Sequence, residues 1–231
     1  MIRQLDSEIW VIDHADFELG PGIRIGTRTT VIRLTDGGLW VHSPGPLTED
    51  LIQEINRLGP VRFLVAPNTF HHLFVSENCT AWPSAKLYVA PGLSEKRKDL
   101  SGTLELGTDP DPGWSAEVDQ CLIEGSPRLG EVVFRHGASR TLILTDWVFN
   151  VGRPDSLGAR FFFTLTGVLG GVSVSRLIRF LTRDKAAARR SFERVLQWDF
   201  NRIVMAHGDV LEQGGPSCLR GALSRIGMTS D

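Results

Sequence analysis

The chain is predicted to be an α/β protein in which two sheets pack face to face with helices on both outer faces, a four-layer αββα sandwich. Three observations carry this expectation. Short β-branched or aliphatic runs recur along the chain in two groups, and each group ends in a helical pattern. Three of the runs stop abruptly at imidazole or carboxylate side chains, where a strand would emerge from a core. No linker or low-complexity stretch divides the 231 residues, so residues 1–231 are read as a single domain.

In chain order, Glu8–Asp13, Thr29–Leu34 and Leu39–His42 read as strands, separated by Gly20-Pro21-Gly22 and by the turn signal Asp36-Gly37-Gly38. Glu49 to Leu58 is an amphipathic helix, with Leu51, Ile52, Ile55 and Leu58 on one face and Thr48 as N-cap, and Gly59-Pro60 stops it. Val61–Ala66 and Lys86–Ala90 are strands, and the Asp, Pro and Gly of Thr108–Gly113 mark a surface loop. Val118–Glu124, Glu131–His136 and Thr141–Thr145 follow as closely spaced strands. From Arg160 to Trp198 the pattern is helical, broken near Thr182-Arg183-Asp184, where Asp184 can cap the next helix. Arg202–Met205 is the last strand, and Ser217–Arg225 a closing helix.

A net charge of −2 with 23% charged residues argues against nucleic acid held by bulk electrostatics. Three widely spaced cysteines with no C-x-x-C pair suggest neither a disulfide framework nor a thiolate zinc site, and the start Met1-Ile2-Arg3-Gln4 has no basic-then-apolar signal pattern. A reduced, cytoplasmic compartment fits best. Phe161–Leu181 is the most apolar segment, but Gly167, Gly170, Gly171, Arg176 and Arg179 speak against a span, since an interior charge costs about 2.5–3.5 kcal/mol on insertion. Neither nucleic acid nor membrane is expected as a partner. The 160–182 segment is read as core, as a lid over a site, or as the contact of a homo-oligomer.

The side chains at the strand ends are His71 and His72 in Pro67-Asn68-Thr69-Phe70-His71-His72, Asp146 after Thr141–Thr145, and His207 in Ala206-His207-Gly208-Asp209. These are types that hold zinc or iron. Adjacent residues on an extended segment point opposite ways, so His71 and His72 reach one metal together only if the loop bends there. Asp146 lies between apolar runs, and a buried carboxylate needs a cation, a metal or several donors. His42 ends a strand and is a candidate acid/base group or a turn histidine; His14 and His136 are read as structural. Asn68 could contact a ligand or the loop backbone, Asp209 could orient an imidazole, and Glu131 could pair with Arg135 or Arg140.

Ala66-Pro67-Asn68-Thr69-Phe70-His71-His72-Leu73-Phe74, Arg140-Thr141-Leu142-Ile143-Leu144-Thr145-Asp146-Trp147-Val148-Phe149-Asn150 and Met205-Ala206-His207-Gly208-Asp209 together resemble the DUF4336 family of the metallo-β-lactamase superfamily. The resemblance implies the αββα metallo-β-lactamase fold. In that superfamily an H-x-H-x-D-H motif and later residues serve two metals. If His72 matches the final His of the motif, His71 stands at the Asp, and Pro67 and Thr69 at the first two histidines. The turn Glu124-Gly125-Ser126-Pro127 offers no His where the superfamily has one. One metal position is therefore lost, and the other keeps His72, Asp146 and His207 and gains His71.

The resemblance thus implies at most one divalent metal, zinc before iron, or none at all. If the protein is an enzyme, a metal-dependent hydrolase acting on a small-molecule ester, thioester or amide is expected, with Asp146 and His42 in the chemistry. The alternative is a catalytically silent member that binds a small ligand or a protein.

Overall fold

Alternation of side chains along the strands creates the layers. In the strand over Val61–Ala66, Phe63 and Val65 join one core cluster while Leu64 and Ala66 join another, so each face of the sheet is covered. The structure, a computed structural model, describes residues 2–154 and 156–229.

The N-terminal half contains β1 (Ile2–Asp6), β2 (Ile9–His14), β3 (Glu18–Gly20), β4 (Ile23–Arg24), β5 (Thr27–Arg33), β6 (Leu39–His42), α1 (Glu49–Leu58), β7 (Val61–Ala66), α2 (Val75–Ala81), β8 (Lys86–Val89), α3 (Leu93–Lys96) and β9 (Leu104–Glu105). The remainder adds β10 (Val118–Leu122), β11 (Val132–His136), β12 (Thr141–Ile143), β13 (Phe149–Val151), α4 (Leu157–Thr166), β14 (Gly171–Ser173), α5 (Arg176–Leu181), α6 (Lys185–Val195), β15 (Arg202–Val204) and α7 (Gly215–Ser224). A seven-stranded sheet has the order β1-β2-β5-β6-β7-β8-β9, and a four-stranded sheet the order β10-β11-β12-β15. Between them lie Trp40, Phe63, Trp114 and Phe134. Ile55, Val75 and Leu93 pack helices α1 to α3 on the outer face of the large sheet, and Ile178, Phe192 and Leu219 pack α5 to α7 on the small one. These are the four layers of the expected αββα sandwich. Each fully buried Leu, Ile or Phe contributes about 1.5–3 kcal/mol, so the three interfaces supply the main driving force.

The pairing pattern assembles the site. β6 and β7 are parallel, as are β12 and β15, so within each pair the carboxyl ends emerge on the same edge. Ser43 follows the end of β6, the 67–74 loop follows β7, Asp146 lies beyond β12 and His207 beyond β15.

Helix α1 has the expected limits, with Thr48 accepting from Leu51 N, and Asp184 caps α6 by accepting from Ala187 N at 2.9 Å. The 160–198 stretch is more broken than its helical pattern suggests. Gly167 ends α4 in the left-handed region at φ 73°, and β14 then pairs with β13 before α5 begins. No helix among the described residues is long and apolar enough to cross a membrane.

Candidate metal centre

Asn68, fully buried just past β7, bends the loop that carries the histidine pair. Its Oδ1 accepts the backbone amides of Phe70 and His71, each at 2.8 Å, and this side-chain turn replaces strand geometry. Its Nδ2 donates to Glu131 Oε2 (3.1 Å), Thr145 Oγ1 (2.8 Å) and Asp146 Oδ2 (2.7 Å). One amide therefore joins the loop after β7 to the loop after β12.

Glu131, also fully buried, accepts the backbone amides of Thr145 (2.7 Å, on Oε1) and Asp146 (2.9 Å, on Oε2). Burial, and then the charge of Asp146, push its carboxyl up to about 7. Burial would likewise raise the Asp146 carboxyl, but the imidazoles of His71 and His207 outweigh it and hold that group below the usual carboxylate range.

His71 Nε2 lies 3.3 Å from Asp146 Oδ2, and His207 Nε2 lies 3.3 Å from Asp146 Oδ1. One ligand atom from each of the three residues lies within 4.8 Å of the others. The far side of each ring is held. His71 Nδ1 is 2.8 Å from Ser43 Oγ, and His207 Nδ1 donates to Gly26 O at 2.8 Å, with Phe149 stacked on the His207 ring at 5.3 Å. Because a carbonyl only accepts, His207 carries its proton on Nδ1. A neutral His207 then turns the Nε2 lone pair toward a carboxylate oxygen, an arrangement that calls for a cation between them, either a metal ion or a second proton. Two imidazoles and one carboxylate meeting on buried ground are a donor set that zinc or iron accepts.

The backbone around His207 is clamped. Arg28 is buried in β5, and its guanidinium donates to Met205 O (2.6 Å), Gly208 O (2.8 Å) and Asp13 Oδ1 (2.6 Å). Gly208 has φ +88°, and a Cβ there would meet Asn150 O at 2.1 Å, so glycine lets this loop close on β13.

Of the residues singled out from sequence, the structure brings His71, Asp146 and His207 together. His72 departs from expectation: the bend at Asn68 aims His71 at Asp146, while Arg97 Nη1 donates to His72 Nδ1 at 2.9 Å and to His72 O at 2.8 Å. With Nδ1 accepting, the proton of the neutral ring sits on Nε2, and neither nitrogen offers a free lone pair. Burial, followed by the charges of Lys96 and Arg97, pushes this imidazole down to about 4.

His42 departs as well. It stacks on Trp40 at 5.5 Å and meets the edge of Phe134, its buried Nε2 has no partner, and burial followed by the charge of His71 pushes it down to about 3. It is a core histidine and does not line the cavity over Asp146. The group that reaches the site from the β6 end is its neighbour Ser43, held at φ +53°. Asp209 does not orient His207, since Gly26 O does, and Glu131 serves Asp146 instead of pairing with an arginine. Arg28, Ser43 and the role of Glu131 escape the sequence reading. A charged residue beside the β-branched run of β5 is the signal that could have found Arg28.

A cavity of about 290 Å³ opens over Asp146, His71 and His207, walled mainly by Phe17, Ile25, Phe74, Phe149, Phe162 and Ile178. That volume is at the small end for a small-molecule site, and its walls are chiefly apolar.

The chain is similar to a metallo-β-lactamase from Pontibacter korlensis at 14% identity and TM-score 0.65, covering 97% of this chain and 98% of that one. It is similar to a metallo-β-lactamase from Hirschia baltica at 11% identity and TM-score 0.62, covering 100% and 98%. The metal-soaked Flv1 flavodiiron core from Synechocystis sp. PCC6803 matches at 10% identity and TM-score 0.65, covering 98% of this chain and 60% of that one. No curated protein matches. At the positions that the resemblance sets against the first two motif histidines, Pro67 O accepts Val132 N, and Thr69 Oγ1 donates to Arg128 O at 2.6 Å. The turn at 124–127 packs on α6, where a Cβ on Gly125 would strike Asp184 O at 2.0 Å. The profile described as "Domain of unknown function (DUF4336)" matches residues 6–156. With that match and the shared architecture, the chain belongs to the DUF4336 family and has the metallo-β-lactamase fold.

Proposed function

We propose that this protein is a metal-dependent hydrolase with one divalent ion, zinc before iron, held by His71, Asp146 and His207, and that it cleaves an ester, thioester or amide of a small apolar or amphipathic molecule. The observation that carries this reading is the pair of Nε2 atoms, each 3.3 Å from a different oxygen of the buried Asp146 carboxylate. Without His72, the donor set has three protein ligands instead of four. Three ligands leave a coordination position open, as catalytic sites require, whereas four would close it. When bound there, the ion supplies Lewis-acid polarisation and a water of lowered pKa.

The chain's own residues supply the rest. Phe17, Phe74, Phe149 and Phe162 exclude bulk water and take the apolar part of a substrate. Ser43 and Gly26 fix the two rings, and Asn68 and Glu131 fix the carboxylate, so that little reorganisation remains at the reacting centre.

Elemental analysis of the purified protein tests the ligand set. The parent should carry about one equivalent of zinc or iron, His71→Ala and His207→Ala little, and His72→Ala nearly the parental amount, because outer partners cost about 10–100-fold in affinity and ligands cost more. Loss in His72→Ala with retention in His71→Ala would overturn the assignment. The second reading, a catalytically silent binding member, rests on Pro67 and Thr69 standing where a second metal's ligands would be. A parent that stays metal-free after reconstitution with zinc and with iron selects it.

A further inference from the structure

The mouth of the cavity is apolar on its outside. Leu19, Phe70, Leu73 and Leu177 all line the cavity, and all four are exposed to solvent. The apolar surface continues along α4, where Leu157, Phe161 and Leu165 recur at every fourth position on one face, and onto α5, where Phe180 is 81% exposed and Phe161 of α4 is 71% exposed. The C-terminal end of α4 meets the N-terminal end of α5. Arg176 Nη1 donates to Leu165 O, and a Cβ on Gly167 would meet the Arg176 side chain at 2.9 Å. Exposed apolar side chains gathered at the mouth of a cavity mark a contact surface.

Charge identifies the occupant. From 156 to 183 the chain has four arginines, Arg160, Arg176, Arg179 and Arg183, and no acidic residue, although the whole chain has a net charge of −2. None of the four has an ion-pair partner among the described residues. On the opposite rim Lys96 sits 5.6 Å from the Phe70 ring centroid, while the nearby acids Asp16 and Glu18 both lie within 4.0 Å of Arg24. A second copy of this chain docked on this face would oppose arginine to arginine, because a two-fold interface brings the same patch against itself. Phenylalanine and leucine surrounded by arginine instead match a bilayer surface, with apolar side chains at the acyl boundary and guanidinium groups among anionic headgroups.

We propose that α4, α5 and the cavity rim dock on an anionic lipid surface and open the cavity toward it. This revises the expectation of no membrane partner while keeping the exclusion of a membrane span. The surface does not depend on the metal, so the two readings stand or fall separately.

Flotation of the full chain with vesicles tests it, using phosphatidylcholine alone and phosphatidylcholine containing about one third phosphatidylglycerol. Binding to the anionic vesicles should be at least about tenfold tighter than to neutral ones and should weaken as salt rises. Phe161→Ser/Phe180→Ser and Arg160→Glu/Arg179→Glu should each abolish it with unchanged thermal melts, all four side chains being exposed. As a positive signal, the fluorescence of a Phe180→Trp variant should be quenched by brominated acyl chains. The proposal is overturned if the parent does not float, if both double variants still float, or if the indole introduced by Phe180→Trp is not quenched on bound vesicles. It is also overturned if the face proves to join two copies, seen as a dimer that Phe161→Ser/Phe180→Ser dissociates.

Discussion

Asn68 Nδ2 donates to Asp146 Oδ2 at 2.7 Å while Asn68 Oδ1 accepts the amide of His71 at 2.8 Å, so a single buried side chain sets both the carboxylate and the imidazole that faces it. The same Nδ2 reaches Glu131 and Thr145, which leaves Asn68 as the junction between the loops following β7 and β12. Its two N–H bonds serve three acceptors, so one hydrogen is shared.

Asn68→Ala should therefore act on stability and on the site together. It removes donors from two buried carboxylates and the acceptor of two backbone amides. Each buried group left unsatisfied costs about 1–3 kcal/mol, and more when charged. Denaturant unfolding should show a loss of several kcal/mol, and metal affinity should fall about 10–100-fold. Asn68→Asp should be worse, since it sets a third carboxylate beside Glu131 and Asp146. A loss below about 1 kcal/mol in both variants would show that the junction is not needed.

Much of this was legible in the sequence. The apolar stripe of α1 between Thr48 and Gly59-Pro60, the apolar run from Phe63 to Ala66 in β7, and the terminal positions of Asp146 and His207 follow from local patterning alone. The choice between His71 and His72 was not, because it depends on the turn imposed by Asn68 and on Arg97, a residue distant in sequence. His42 misled for a similar reason. Its position at a strand end says nothing about which face it occupies, and the Trp40 and Phe134 rings decide that. The pairing of β13 with β14 across α4 was hidden by three-residue strands, too short for any periodicity to register.

Ser43 offers a way to separate orientation from folding. It holds φ +53°, and its hydroxyl meets His71 Nδ1 at 2.8 Å. Ser43→Gly relieves the left-handed backbone and removes the hydroxyl, whereas Ser43→Ala removes the hydroxyl alone. Metal affinity should fall about tenfold in both, while unfolding should find Ser43→Gly more stable than Ser43→Ala by about 1 kcal/mol. Parental affinity in both variants would mean that Ser43 does not orient His71.

Acid should unfold the protein through histidines outside the metal site. Burial is the main reason that His42 is pushed down to about 3 and His14 to about 4, from an ordinary 6.5. Both rings stay neutral in the folded chain, so below pH 6.5 the unfolded chain binds protons that the folded one does not. Their neutral state carries no penalty above that pH, and stability is lost as pH falls from 6.5 through about 4 toward about 3. His42→Leu, which cannot take up a proton, should flatten this acid limb when denaturant midpoints are compared between pH 7 and pH 4. An unchanged slope would remove His42 as a cause.

The Arg28 clamp predicts coupling between a buried strand residue and the metal. Its guanidinium spans Met205 O and Gly208 O on either side of His207, with Asp13 balancing its charge. Arg28→Met keeps much of the apolar stem but leaves two carbonyls and Asp13 without their donor. Hydrogen bonds to charged groups contribute about 1.5–3 kcal/mol each, so a destabilisation of at least about 3 kcal/mol is expected. Arg28→Lys should recover only part of it, because one ammonium cannot reproduce a planar fork serving three acceptors. Metal content should follow the same order, parent above Arg28→Lys above Arg28→Met, since freeing the 205–208 backbone lets His207 leave Asp146. If Arg28→Met binds metal as the parent does while unfolding earlier, the clamp serves the fold alone, and the position of His207 rests on the Gly26 carbonyl and the stacked Phe149.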